Sequence, residues 1–116
     1  MDLATASSVL RLLADPTRVR LLALLEHEEL TVAELAAVLQ LAQPRVSTHL
    51  AKLKEAGLVR DRRAGVSAYY RANNDGDETR HSLLTSLRES IDDALLHEDT
   101  ARLPGVLAHR AREEGW

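Results

Sequence analysis

Gln43, Arg45, Ser47, Thr48 and Lys52 lie within ten residues, QPRVSTHLAK. They offer a planar amide, a forked guanidinium, two hydroxyls and an ammonium. That set suits a surface carrying donors, acceptors and negative charge. Gln and Arg pair bidentately with base edges, while hydroxyls and Lys serve bases or phosphates. A second group, Arg62 and Arg63, precedes Ala64-Gly65. Two guanidinium groups beside a tight turn reach phosphates or a narrow groove. The bland alternatives are a solvated helix face for the first set and charge protection of a strand edge for the second.

The surrounding charge favours the sharper reading. From Ala42 to Arg71 seven cations stand against Glu55 and Asp61, a local +5 in a chain of net charge −3, so the remainder carries −8. A basic middle between acidic ends fits a polyanion-binding face on an acidic scaffold. Enzymatic chemistry finds no support. There is no Gly-rich phosphate loop, no His-Glu-x-x-His and no nucleophile in a recognisable elbow. The chain has no Cys, so disulfides, thiolate metal sites and thiol redox sensing have no residue to work with.

The 116 residues fit one domain, and aromatics make up 3% with no Phe. The core is therefore Leu, Val and Ala, which favours helices. No apolar run approaches the roughly 18 residues that span a bilayer, and the N-terminus lacks a signal-peptide pattern. The expected partner is thus DNA rather than a membrane, and the expected location cytoplasmic.

The elements that must position these side chains follow from caps and periodicity. A first helix covers Leu3 to Leu13, with Leu3, Ala6, Leu10 and Leu13 on one face. Asp15 and Pro16 open a second helix, to about Glu28, buried on one side through a wide stripe of Val19, Leu22 and Leu25 with Leu21 and Leu24 beside them. Thr31 and Glu34 have capping-box spacing and start a third, with Val32, Leu35, Ala36 and Leu39 inward. Pro44 suits the start of a fourth, and Gly57 the left-handed position past its end. There Val46, Leu50 and Leu53 face inward. Pro44, Thr48, Ala51 and Lys52 fall on the opposite face, with Gln43, Arg45 and Ser47 at its N-terminal end or flanks. The short connection before Pro44 is that of a helix-turn-helix. LVRDRR and VSAYYRA then alternate as two strands around a turn, the hairpin wing. A long helix is expected over Glu78 to His97. Pro104-Gly105 breaks the segment after it, where Val106 to Glu114 forms at most a short helix. The fold class is mainly α with a two-stranded β-hairpin wing, a winged helix-turn-helix. Residues 1–98 form the DNA-binding domain with its N- and C-terminal helices, and 99–116 a tail.

LADPTRVRLLALL, TVAELAAVLQLAQPRVSTHLAKLKEAGLV and RRAGVSAYYRA resemble, in continuous order over about Leu10 to Ala72, the ArsR/SmtB family of bacterial winged helix-turn-helix repressors. The resemblance implies a transcriptional regulator, repressor-type, acting as a homodimer on an inverted-repeat operator. Its groove contacts carry over to Gln43, Pro44, Ser47 and Thr48, and its wing contacts to the neighbourhood of Arg62 and Arg63. Ala42 stands where the family often has Ser, and Thr48 where His is common, which implies a weaker helix cap and a different base preference. The implied dimer is built from the first and last long helices. Leu84, Leu87, Ile91 and Leu95 make a stripe longer than one small domain needs, and Leu3 and Leu10 offer a matching face.

The family's cysteine effector sites have no counterpart. Its other site lies on the last long helix as Asp-x-His, ten residues, then His-x-x-His or Glu. Aligned on His81, it gives Thr79 for the Asp, keeps His81, and places Asp92 and Leu95 at the other two positions. His81, Asp92 and His97 are thereby candidate ligands, with Asp93 and His109 nearby. Nitrogen and oxygen donors suit Ni, Zn or Co. An organic ligand between helices, or no ligand, are the alternatives. Two further readings stay open: a winged-helix protein–protein adaptor, and the N-terminal part of a regulator–methyltransferase fusion.

Overall fold

Asp2 and Asp15 each turn a local preference into a helix start. In the computed structural model, which describes residues 1–75 and 78–114, the Asp2 carboxylate accepts from the Thr5 N–H at 2.7 Å and opens α1 (Leu3–Leu13). Asp15 accepts from the Thr17 N–H at 2.8 Å and opens α2 (Pro16–Leu25). Thr31 and Glu34 exchange side-chain and backbone bonds at 2.8 and 3.2 Å, a complete capping box for α3 (Val32–Leu39). Then follow α4 (Gln43–Glu55), an antiparallel hairpin of β1 (Val59–Ala64) and β2 (Ser67–Ala72), α5 (Glu78–Ser90) and α6 (Ala94–Glu113).

The core gathers Leu21, Leu35, Val38, Val46, Leu50, Leu53 and Leu58, all essentially buried. Each fully buried side chain of this kind contributes about 1.5–3 kcal/mol. Leu30 fixes the hairpin to this core. Its N–H and carbonyl exchange bonds with Tyr70 of β2 at 3.0 and 2.8 Å. Gly65, at φ +62, leads the two-residue turn of the hairpin, a position that suits glycine.

The structure corrects three expectations. First, α2 ends at Leu25 and is not buried on one side only: Thr17 and Arg20 are buried with the leucines, whereas Val19 is half-buried. Second, the α1 face given to Leu3, Ala6, Leu10 and Leu13 is divided: the helix packs inward through Val9, Leu12 and Leu13, while Leu3 and Leu10, the two assigned to the dimer, are 83% and 57% exposed. Third, the long helix expected over 78–97 is two helices. Asp93 leaves helical geometry (φ −141°, ψ 138°) and caps α6 by accepting from the Leu95 N–H at 2.8 Å. The residues from 99 onward, expected as a broken tail, form most of α6, so the boundary at 98/99 falls inside a helix.

Pro104 does not interrupt α6. An interior proline costs a helix about 3 kcal/mol. Side-chain ties on both sides of it oppose that cost. Asp99 and Arg102 lie before it and Arg110 after it, and all three bind partners in the rest of the fold. Among the described residues, no helix is long and apolar enough to cross a membrane.

Candidate nucleic-acid interface

The turn into α4 rests on one unusual backbone position. Gln40, the cap of α3, is left-handed (φ 56°, ψ 48°), which lets Leu41 donate to the Ala36 carbonyl at 3.1 Å and swings the chain into α4. Ala42 gives α4 no side-chain cap, as the sequence implied. The loss is small, because Pro44 has no N–H and the Arg45 N–H already bonds the Ala42 carbonyl at 3.1 Å.

The helix divides sharply. Val46, Leu50 and Leu53 are buried, and Gln43, Pro44, Arg45, Ser47, Thr48, Ala51 and Lys52 are exposed. Thr48 Oγ1 donates to the Pro44 carbonyl at 2.9 Å. Its hydroxyl proton is thereby engaged, and the oxygen faces outward as an acceptor.

The family resemblance implies that α2 braces the helix-turn-helix, but the side chains that make the brace beneath α4 were not found from the sequence. Arg18 of α2 donates to the Leu12 carbonyl at 2.6 Å and to His49 Nδ1 at 3.2 Å. A donating guanidinium makes Nδ1 the acceptor, so the His49 ring is neutral with its proton on Nε2. Burial lowers the His49 pKa, and the charges of Arg18, Arg45 and Lys52 lower it further against the opposing Asp15. The ArsR-like DPTR stretch therefore clamps the end of α1 and the middle of α4 together. Its local pattern signalled a helix start, but a contact 31 residues away has no local signal.

The wing arginines differ from each other. Arg62 has no acidic partner at helical spacing but finds one far back in the chain. Its Nε donates to the Glu29 oxygens at 2.9 and 3.1 Å, its Nη2 donates at 2.9 Å, and its guanidinium lies 5.0 Å from the Tyr69 ring centroid. Arg63 has no ion pair among the described residues and is exposed. Lys54 pairs with Asp61 at 2.9 Å, and Arg60 pairs with Asp75. Three of the seven cations in the basic segment are thus matched by carboxylates. Arg45, Lys52, Arg63 and Arg71 keep their charge unpaired among the described residues.

The metal candidates do not assemble within one chain. His97 Nε2 lies 3.1 Å from Asp92 Oδ1 on an exposed corner. His81 lies on α5 and lines a small apolar cavity with Leu13, Leu22, Leu84 and Leu87. Among the described residues, no group of three or more His, Asp or Glu side chains is placed to hold a metal ion. The candidate dimer residues also separate. Leu87 and Leu95 are exposed at 38% and 39%, whereas Leu84 packs on the core.

Comparison with known proteins gives concordant matches. Residues 15–61 match the family described as bacterial regulatory protein, arsR family. The chain is 38% identical over 107 residues to the HTH-type transcriptional regulator KmtR of Mycobacterium tuberculosis, covering 92% of this chain and 74% of that protein. It is 48% identical over 71 residues to the arsenic resistance transcriptional regulator ArsR1 of Pseudomonas putida. That match covers 60% of this chain and spans 56% of the relative, little more than half its length. A solved structure, the homodimeric winged helix-turn-helix DNA-binding domain of Mb0332 from Mycobacterium bovis, superposes with TM-score 0.65 at 30% identity, covering 75% of this chain and 78% of that one.

Proposed function

The chain belongs to the ArsR family of bacterial winged helix-turn-helix transcriptional regulators, and from that premise we propose that it is a repressor-type regulator that binds an inverted-repeat DNA operator as a homodimer in the cytoplasm. The exposed strip of Gln43, Arg45, Ser47, Thr48 and Lys52 on α4 carries this reading. Its opposite face is locked into the core, so the strip is presented rigidly. Arg45 and Gln43 read base edges at the helix N-terminus, and Lys52 and Arg63 hold phosphates. Selection of bound sequences from a random duplex pool tests it. The expected product is a palindrome with half-sites about one helical turn apart. Recovery of no motif overturns the reading and leaves the adaptor.

The proposed dimer uses α1 and α5. Leu3 and Leu10 face solvent in the protomer, as do Leu87 of α5 and Leu95 in the first turn of α6. Removing that apolar area from water favours association.

A second reading is regulation by Ni, Zn or Co. The close approach of His97 and Asp92 favours it. A site including His81 then needs donors from two protomers. Calorimetric titration with each metal, beside a His81→Ala variant, decides it: affinity weaker than millimolar, or unchanged by the substitution, removes this site. Tight binding must also change operator affinity, because a ligand held equally by both states regulates nothing.

A further inference from the structure

The C-terminal helix reaches the wing through a second stacked arginine. Arg110 of α6 places its guanidinium 5.3 Å from the centroid of the same Tyr69 ring that Arg62 covers. Arg62 and Tyr69 are direct cross-strand partners in the hairpin. Arg110 donates through Nε and Nη2 to the two Glu34 oxygens, both at 2.6 Å, and through Nη2 to the Glu29 carbonyl at 2.7 Å. Glu29 is the residue whose carboxylate grips Arg62. One α6 side chain thus touches the ring beneath Arg62, the backbone of its acidic partner, and the carboxylate that completes the α3 cap. Both carboxylates are held in their charged form. The Arg62 hydrogen bond lowers Glu29, and the bonds from Arg110 and Thr31 outweigh the upward push of burial on Glu34.

We infer that α6 sets the posture of the wing on DNA, with Arg110 as a positioning residue that acts through Tyr69 and Glu29 on Arg62. Arg62 is then a strut of the hairpin. Arg63, its neighbour with no ion pair among the described residues, is the cation that the strut aims at the DNA backbone. This rests on the DNA-binding reading above. It adds to that reading a dependence on a helix remote from α4 in sequence.

The test is operator affinity as a function of salt, with thermal melting of each variant alongside. Arg110→Ala and Tyr69→Leu each weaken binding severalfold and flatten the log–log salt slope by about one, the loss expected for a single phosphate contact. Arg63→Ala gives the same flattening, and adding Arg110→Ala to it flattens the slope no further. Tyr69→Phe keeps the stacked ring and matches the parent protein. A merely stabilising role for Arg110 lowers the melting temperature and leaves the slope alone, which overturns the inference. So does a double variant whose slope loss is additive. If Arg110→Ala does not fold, the contrast between Tyr69→Phe and Tyr69→Leu decides the question in the same way. Failure of Arg45→Ala and Arg63→Ala to alter binding defeats the DNA reading itself; an effect of those two without one from Arg110→Ala or Tyr69→Leu defeats only this inference.

Discussion

Arg20 of α2 and Asp99 of α6 form a buried two-point ion pair, Nε to Oδ2 and Nη2 to Oδ1, each at 2.8 Å. Arg20 also donates to the Leu39 carbonyl at 2.9 Å, and Arg102 joins Asp99 at 2.8 Å. The pair welds the C-terminal helix to the centre of the domain and closes over the end of α3. Removing Asp99 strands Arg20 without its counter-charge. Asp99→Ala is expected to destabilise the fold by about 3–5 kcal/mol, whereas replacing both partners with apolar residues of similar volume costs far less. Urea unfolding of the single and double variants measures the difference.

Gln40 is the one described non-glycine residue with positive φ. A left-handed conformation costs a side-chain-bearing residue roughly 1–2 kcal/mol, which glycine avoids. Gln40→Gly offsets part of that gain by the greater entropy it gives the unfolded chain. The net expectation is a stability increase of about 0.5–1 kcal/mol with unchanged operator preference, read from the denaturation midpoint.

His49 gives the protein a pH dependence with a defined sign. Its folded pKa is lowered, first by burial, so the unfolded chain binds the proton more tightly. Stability therefore falls as pH drops below about 6.5, the ordinary histidine value. Protonation also sets a second cation against Arg18, with Arg45 and Lys52 near and only Asp15 opposing. The depressed Glu29 and Glu34 act in a lower window, losing their contribution as pH falls below their ordinary value of 4.5. Melting temperatures between pH 7.5 and 5.5 should decline in the parent and stay flat in His49→Gln.

Leu10→Glu tests the dimer cleanly, because that side chain is 57% exposed in the protomer. Sedimentation should show a folded monomer with operator binding lost. An unaltered dimer places the interface elsewhere. Leu84→Glu is the contrasting case: Leu84 is half-buried against the core, so the same charge there lowers the protomer's own stability, read as a lower melting temperature.

Thr48 separates base readout from backbone anchoring. Thr48→Ala removes an outward acceptor and relaxes preference at one operator position by about 1–3 kcal/mol, with little change in salt slope. Arg63→Ala should do the reverse. Binding arrays over single-base operator variants at two salt concentrations distinguish them.

The sequence by itself determined the parts governed by neighbours in the chain. Asp15 and the Thr31–Glu34 box each satisfy N–H groups two or three residues away, so residue type and spacing suffice. The inward stripe of α4, and hence the outward set from Gln43 to Lys52, follows from helical period alone. Tertiary structure decided what depends on distant partners. Arg62 is paired because Glu29, 33 residues away, is brought under the hairpin. Asp99 and Arg110 make a supposed tail into a helix because their partners lie 79 and 76 residues back, and those contacts hold it together across Pro104. Proline and glycine record only a local cost. Whether packing exceeds that cost is set by the contacts the rest of the fold supplies, and no window of sequence contains them.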